Sequence, residues 1–346
     1  MPYAPVKTAV VGYGFSAKTF HLPFIQTLPE LELTALSSSQ KSAVQADWPG
    51  VACYDDADTM LVESDAELVI ITAPNDVHFR LAKLALENGK HVIVEKPFVT
   101  KVEDGEALIR LAEEKGLVLS VFHNRRWDGD FLTVKKLIEE SKLGDVKYFE
   151  SHFDRFRPEV RQRWREQAQD GGGILFDLAP HLLDQALALF GAPQALTAQC
   201  KIMRPGASTI DYFNLVLHYP AHFVHLHANL YSPEPNLRYK VLGTQGKYEK
   251  YGLDPQEEYL KAGVKPELPT WAEEPSSHYG QFHQETDSQV IPTELGGYQC
   301  YFAGVADAIR QGKPNPVPAE EALLNIRLIQ LALESSQLGQ TLKVDV

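Results

Sequence analysis

Lys7-Thr8-Ala9-Val10-Val11-Gly12-Tyr13-Gly14-Phe15-Ser16-Ala17 joins an apolar, β-branched run to two glycines one residue apart. A helical pattern follows over 18–28. Strand, glycine turn and helix in that order form the setting of a dinucleotide fingerprint. Gly12 lets the chain turn sharply, and Gly14 lets backbone approach a pyrophosphate. The helix N-terminus offers unpaired N–H groups to that anion. Ala17 fills the third position, which the looser form of the motif allows. The same spacing also serves a tight strand-to-helix turn that holds no ligand. Gly12, Gly14, Phe15 and Ser16 are the first cofactor-binding candidates.

The second strand is expected at 32–36, ending in Ser37-Ser38-Ser39-Gln40-Lys41. An acidic residue here would bind the ribose 2′-hydroxyl of NAD, and none is present. Ser37, Ser38 and Lys41 leave room and positive charge for a 2′-phosphate, so the pattern leans toward NADP, with NAD possible. An ordinary polar loop with Lys41 in solvent is the alternative. The apolar run Leu68-Val69-Ile70-Ile71-Thr72 suits a strand buried on both faces of a parallel sheet. Helices are expected over 78–88 and 102–115, and strands over 90–95 and 117–122. This alternation means βαβ units, which bind ligands beyond the carboxyl ends of their strands. Gly12, Ser37, Thr72, Lys96 and His123 fall at those ends.

Beyond residue 123 the rhythm changes. A helix ends near Gly144, and strands are expected at 146–156, 195–203, 211–219, 223–231, 237–242 and 246–251. Such consecutive strands read as an antiparallel sheet. The segment 255–292, rich in Pro, Glu, Gln and Ser, reads as a long surface excursion. Helices at 298–311 and 319–339 close the chain. The expected architecture is α/β: a Rossmann domain over 1–123, then an α+β domain over 124–346 with a large, mostly antiparallel, open-faced sheet. A half-apolar open face calls for covering, so a homo-oligomer, dimer or tetramer, is expected.

With 346 residues, 44% of them hydrophobic and 23% charged, the composition is that of a soluble globular protein. The net charge of −13 argues against nucleic acid or an anionic membrane as partner. Cys53, Cys200 and Cys300 lie far apart, so neither a disulfide framework nor a zinc site is expected. No signal pattern and no apolar run long enough to cross a bilayer is found, and a reducing cytoplasm fits.

Chemistry is expected around Gly171-Gly172-Gly173-Ile174-Leu175-Phe176-Asp177-Leu178-Ala179-Pro180-His181. Asp177 and His181 are four apart, hence on one face of a helix. Pro180 is best tolerated in a first turn, so the helix is expected to start near Asp177, where a carboxylate is stabilised. A bare helix cap and a core histidine would give the same pattern. Asp184 is expected to face solvent, and Lys96 alone is most often a surface lysine.

Taken in order, Gly12-Tyr13-Gly14, Asn75 and His78, Glu95-Lys96-Pro97, Gly171-Gly172-Gly173 and Asp177…His181 resemble the glucose–fructose oxidoreductase/inositol dehydrogenase (Gfo/Idh/MocA) family. Gly14-Phe15-Ser16-Ala17-Lys18-Thr19-Phe20-His21, Asn124-Arg125-Arg126-Trp127-Asp128 and Phe156-Arg157-Pro158-Glu159-Val160-Arg161 resemble its NADP-dependent scyllo-inositol dehydrogenase branch. Ala179 departs from the glycine of many relatives. The resemblance implies hydride transfer on an inositol, polyol or sugar, with Lys96, Asp177 and His181 as catalytic residues. It implies that Asn75, His78 and Glu95 line the cofactor, and that Lys96-Pro97 is a cis peptide; Thr72, at the carboxyl end of its strand, is a further cofactor candidate. It places Asn124 and Arg125 near the substrate. Phe153 and Asp154 are further substrate candidates, on a strand that could face the cleft. No metal is called for, since lysine and histidine supply the proton chemistry. Another sugar or a dihydrodiol as substrate, or a dinucleotide-binding sensor without turnover, are the alternatives.

Overall fold

The computed structural model describes residues 3–161, 166 and 171–345. The chain groups into two compact units. The first takes Met1–Asn124, Gln256–Ala272 and Gly297–Leu323; the second takes Arg125–Pro255, Glu273–Gly296 and Leu324–Val346.

In the first unit, strands β1 (Val6–Val11), β2 (Leu31–Ser37), β3 (Ala52–Tyr54), β4 (Leu68–Ile71), β5 (His91–Val94) and β6 (Leu119–Val121) alternate with helices. These are α1 (Leu22–Thr27), α2 (Lys41–Asp47), α3 (Ala57–Glu63), α4 (His78–Glu87) and α5 (Val102–Lys115). The strands form one parallel sheet in the order β3-β2-β1-β4-β5-β6. This is the doubly wound order, with its reversal between β1 and β4. All four residues of β4 are buried, as a strand covered on both faces requires.

The first helix departs from the expected 18–28. Ala17–His21 forms a π-helical turn, in which Leu22 N–H donates to the Ala17 carbonyl, and α1 begins only at Leu22. Pro23 supplies the reason. It has no N–H to donate one turn back and fits only at the start of a new helix, where it stands.

The second unit contains α6 (Gly129–Glu139), β7 (Val146–His152), α7 (Gly173–Phe190), β8 (Ala195–Lys201), β9 (Tyr212–His218), β10 (Phe223–Asn229), β11 (Leu237–Gly243) and β12 (Gly246–Tyr251). After a short helix of the first unit, α8 (Gln256–Lys261), come β13 (Gly280–His283) and β14 (Ser288–Ile291). Helices α9 (Gln299–Gln311) and α10 (Ala319–Leu338) and strand β15 (Leu342–Lys343) close the chain. The nine-stranded sheet runs β14-β13-β12-β11-β7-β10-β9-β8-β15, and every pair is antiparallel except β7 with β10. Its strands alternate: in β9, Phe213, Leu215 and Leu217 are buried, while Tyr212, Asn214, Val216 and His218 on the other face are half-buried. The buried face packs against Leu175, Leu178, Leu182 and Leu183 of α7 and Leu328, Ile329 and Ala332 of α10.

The expected surface excursion over 255–292 is corrected here. Its strands β13 and β14 extend the large sheet, with Phe282 opposite Tyr248. Phe282, Ile291 and Glu274 are buried in the second unit, and Gln256, Leu260 and Trp271 in the first. Polar composition concealed this, because edge strands carry polar residues on their outer face. Helix α7 is long and apolar enough by length and composition to cross a membrane, yet 67% of it is buried within the protein, as befits a core helix.

Candidate active site

On the first unit, the glycine turn follows β1 directly. Gly12 adopts φ +95°, and a Cβ there would lie 2.9 Å from the Thr72 Oγ1, so glycine is required by the protein itself. Thr72 donates its hydroxyl to the Val11 carbonyl at 2.7 Å, and Gly12 N–H donates to the Ser37 carbonyl at 3.0 Å. These bonds tie together the ends of β4, β1 and β2. Gly14 differs: a Cβ there would meet nothing within 4 Å. Phe15 beside it is 62% exposed, unusual for a large apolar side chain.

Glu95 sits just past β5. It accepts hydrogen bonds from the Ser16 hydroxyl, from His21 Nε2 at 3.0 Å and from the Lys96 backbone N–H at 3.1 Å. A carboxylate only accepts, so Nε2 of His21 carries the proton. Burial pushes the Glu95 pKa up, but the His21 and Ser16 bonds outweigh it and hold the group at about 2. Glu95 therefore ties the glycine turn to the segment that carries Lys96. The Lys96-Pro97 peptide is cis, as the resemblance implied. His78 is buried, with Nδ1 3.0 Å from the Pro97 carbonyl and Nε2 2.9 Å from that of Ala73. Burial pushes its pKa down. The neutral ring donates to one carbonyl at a time and tethers the segments after β4 and β5. Asn75 opens a single 3-10 turn, Asn75–Val77, before α4. At the end of β2, Ser37 is buried, Ser38 Oγ accepts the Gln40 N–H, and Lys41 pairs with Asp55 at 2.7 Å on the surface.

On the second unit, α7 begins at Gly173, four residues before the expected start, with Gly172 as its cap. Gly173 has φ +79°, and a Cβ would lie 2.7 Å from the Ile210 carbonyl. Ile174 N–H donates to that same carbonyl. The helix entry is thus pinned to the segment leading into β9, which sequence spacing cannot reveal. Asp177 consequently lies in the second turn rather than at the N-terminus, and Pro180 and Ala179 are interior. Within the helix Pro180 offers no N–H to the Phe176 carbonyl.

His181 is 7% exposed, with its ring 6.4 Å from that of Phe153. Asp177 lies 3.6 Å from the Arg155 guanidinium. Asp184 is buried rather than solvent-facing: Arg126 clamps it with two bonds of 2.8 and 2.7 Å. Gln185, next along α7, donates to the Arg125 carbonyl and accepts from Arg238 and Tyr239. Arg238, fully buried, also bonds Ser151 and Asp130. Arg125 pairs with Asp128 at 3.3 Å and is buried, as is Asn124 of the first unit. Phe153 and Asp154 leave their strand on opposite faces. Phe153 is buried in the core beside the guanidinium groups of Arg125, Arg155 and Arg238, at 4.9, 5.0 and 5.8 Å. Asp154 lies between His152 and His227. Arg155, Arg238 and Gln185 carried no sequence signal, since an isolated Arg or Gln reads as surface until its partners are known.

Two family models match the chain. One, described as the oxidoreductase family, NAD-binding Rossmann fold (GFO_IDH_MocA), covers residues 6–123, and the other, its C-terminal alpha/beta domain, covers 135–346. The chain belongs to the Gfo/Idh/MocA oxidoreductase family. As a member it is an oxidoreductase with a nucleotide-binding Rossmann domain. It is 46% identical over 339 residues to the uncharacterized oxidoreductase YdgJ of Escherichia coli (strain K12), covering 97% of this chain and 98% of that one. It is 38% identical over 344 residues to a protein of Bacillus subtilis (strain 168) named scyllo-inositol 2-dehydrogenase (NADP(+)) IolW, covering 98% and 96%. The solved structure of yvaA from Bacillus subtilis superposes with a TM-score of 0.95 at 38% identity, over 99% of both chains. The likeness to such relatives thus runs over nearly the whole length of both chains.

Proposed function

We propose that this family member is an NADP-preferring dehydrogenase that interconverts a secondary alcohol and a ketone on an inositol, polyol or sugar. The observation that carries the reading is the full-length likeness to a relative whose name states that activity. The residues at the glycine turn fit a dinucleotide. Gly12 is explained by Thr72 and its own φ, whereas the open space beside Gly14 has no internal use and suits a ligand's pyrophosphate. Absence of a carboxylate at Ser37-Ser38 favours NADP. A nicotinamide dinucleotide, when bound, supplies the hydride acceptor or donor. Gly12, Gly14, Phe15, Ser16, Ser37, Ser38, Lys41, Thr72 and Asn75 are the proposed binding set, with Glu95 and His78 holding that set in place.

In the oxidative direction His181 takes the proton of the substrate hydroxyl, general-base work to which an imidazole side chain is suited. Lys96 donates a hydrogen bond to the same oxygen and stabilises its developing negative charge. Asp177 steadies the imidazole's positive charge. Asn124 and Arg125 are proposed to orient the substrate. Three free cysteines suit a reducing cytoplasm.

The test is oxidation of a polyol and sugar panel including scyllo-inositol, with NADP and with NAD, followed by absorbance of the reduced cofactor. Lys96→Ala and His181→Ala should each lower kcat by roughly 10²–10⁴-fold while cofactor affinity stays nearly unchanged. Unchanged kcat in both variants removes the mechanism. Tighter binding of NAD than NADP removes the role of Ser37, Ser38 and Lys41. Cofactor binding without turnover on any substrate favours a sensor.

A further inference from the structure

The outer face of the large sheet carries a cluster that the oxidoreductase chemistry does not use. A strand's period of two puts Glu150 and His152 of β7 on the face opposite Phe149, and just past the strand Phe153 is buried in the core while Asp154 lies beside His152. Strand β10 runs parallel to β7, and its register sets His227 directly beside His152. One ligand atom each from His152, Asp154 and His227 falls within 4.8 Å of the others. Asp154 Oδ2 is 3.0 Å from His152 Nδ1, and Oδ1 is 2.9 Å from His227 Nδ1. Despite that short approach, His227 Nδ1 is buried and makes no hydrogen bond of acceptable direction among the described residues.

We propose that His152, Asp154 and His227 form a three-ligand site for a divalent transition-metal ion of the zinc class. Two imidazoles and one carboxylate are the donor set such ions take, whereas calcium and magnesium favour oxygen donors. Supporting contacts already stand in place. The other ring nitrogen of His152 lies 2.7 Å from Glu150 Oε1, the outer carboxylate that commonly orients a metal-bound histidine. The Asn229 backbone N–H donates to Asp154 Oδ1 at 3.0 Å and fixes the carboxylate. Three protein ligands leave the fourth tetrahedral position to water. Bound metal would also brace the segment in which Phe153 and Arg155 reach toward His181 and Asp177.

The site is tested by stripping the protein with EDTA and titrating Zn2+ by calorimetry and Co2+ by visible absorption. One Zn2+ per chain and the intense bands of tetrahedral Co2+ are expected. His152→Ala and His227→Ala should abolish both, and Glu150→Gln should weaken Zn2+ binding about 10–100-fold. Asp154→Asn, close to Asp in size, replaces any histidine variant that fails to fold by circular dichroism. Absence of a stoichiometric Zn2+ site in the stripped wild type, or binding unchanged in the folded variants, overturns the proposal.

Discussion

Glu95 shows how one side chain can hold a loop in position. It receives three hydrogen bonds, from Ser16, His21 and Lys96, at the boundary of strand and glycine turn. Glu95→Gln leaves the size but removes the charge, and should destabilise the protein by roughly 1–3 kcal/mol in urea denaturation at neutral pH. The pH dependence follows from the depressed pKa. A carboxyl whose folded-state pKa is about 2 contributes stability that is complete above its ordinary value near 4.5, and this is lost as pH falls through about 2. The stability gap between wild type and Glu95→Gln should therefore narrow as pH is lowered from 4.5 toward 2. A gap independent of pH would show that charge is not what Glu95 contributes. Gly12 and Glu95 were visible in the sequence as motif members. What Glu95 binds was not, because Ser16 and His21 lie some eighty residues away along the chain.

At the scale of elements, the clearest lesson lies in α7 and in the polar segment before α9. Proline and spacing alone argued for a helix starting at Asp177. The Ile210 carbonyl, which accepts from Ile174 N–H and leaves no room for a Cβ on Gly173, moves the start to Gly173. Similarly, composition put 255–292 on the surface. Within it, Glu274 is buried against Lys250 at 2.8 Å, with Thr293 donating to its second oxygen. Lys250 is itself fully buried and also donates to the Tyr251 carbonyl. Glu274→Ala leaves an ammonium buried without its counter-charge and should cost about 3–5 kcal/mol. Thermal or urea unfolding measures this. A change within about 0.5 kcal/mol, the range of ordinary surface substitutions, would mean that the pair is not buried in solution.

For the molecule as a whole, the nine-stranded sheet sets the main expectation. One face is packed by α7 and α10, while the other carries half-buried side chains such as Tyr212, Val216 and His225. We expect this face to meet a second copy, so light scattering should give a mass at least twice 38.7 kDa. Replacing Val216 with Lys on the outer face should shift the population toward monomer without changing far-UV circular dichroism. A monomeric wild type at micromolar concentration would remove this expectation.

Local sequence determined the alternation of strands and helices, the glycine turn and the parallel sheet that they imply. Each rests on periodicity or on backbone freedom within a few residues. It also carried the family, through short motifs in a fixed order. Tertiary structure alone decided the start of α7, the Asp184–Arg126 clamp and the pairing of His152 with His227. It also decided that Gln256–Ala272 and Gly297–Leu323 return to the first unit. These features depend on atoms brought together from distant stretches, and no local propensity encodes which buried donor meets which acceptor.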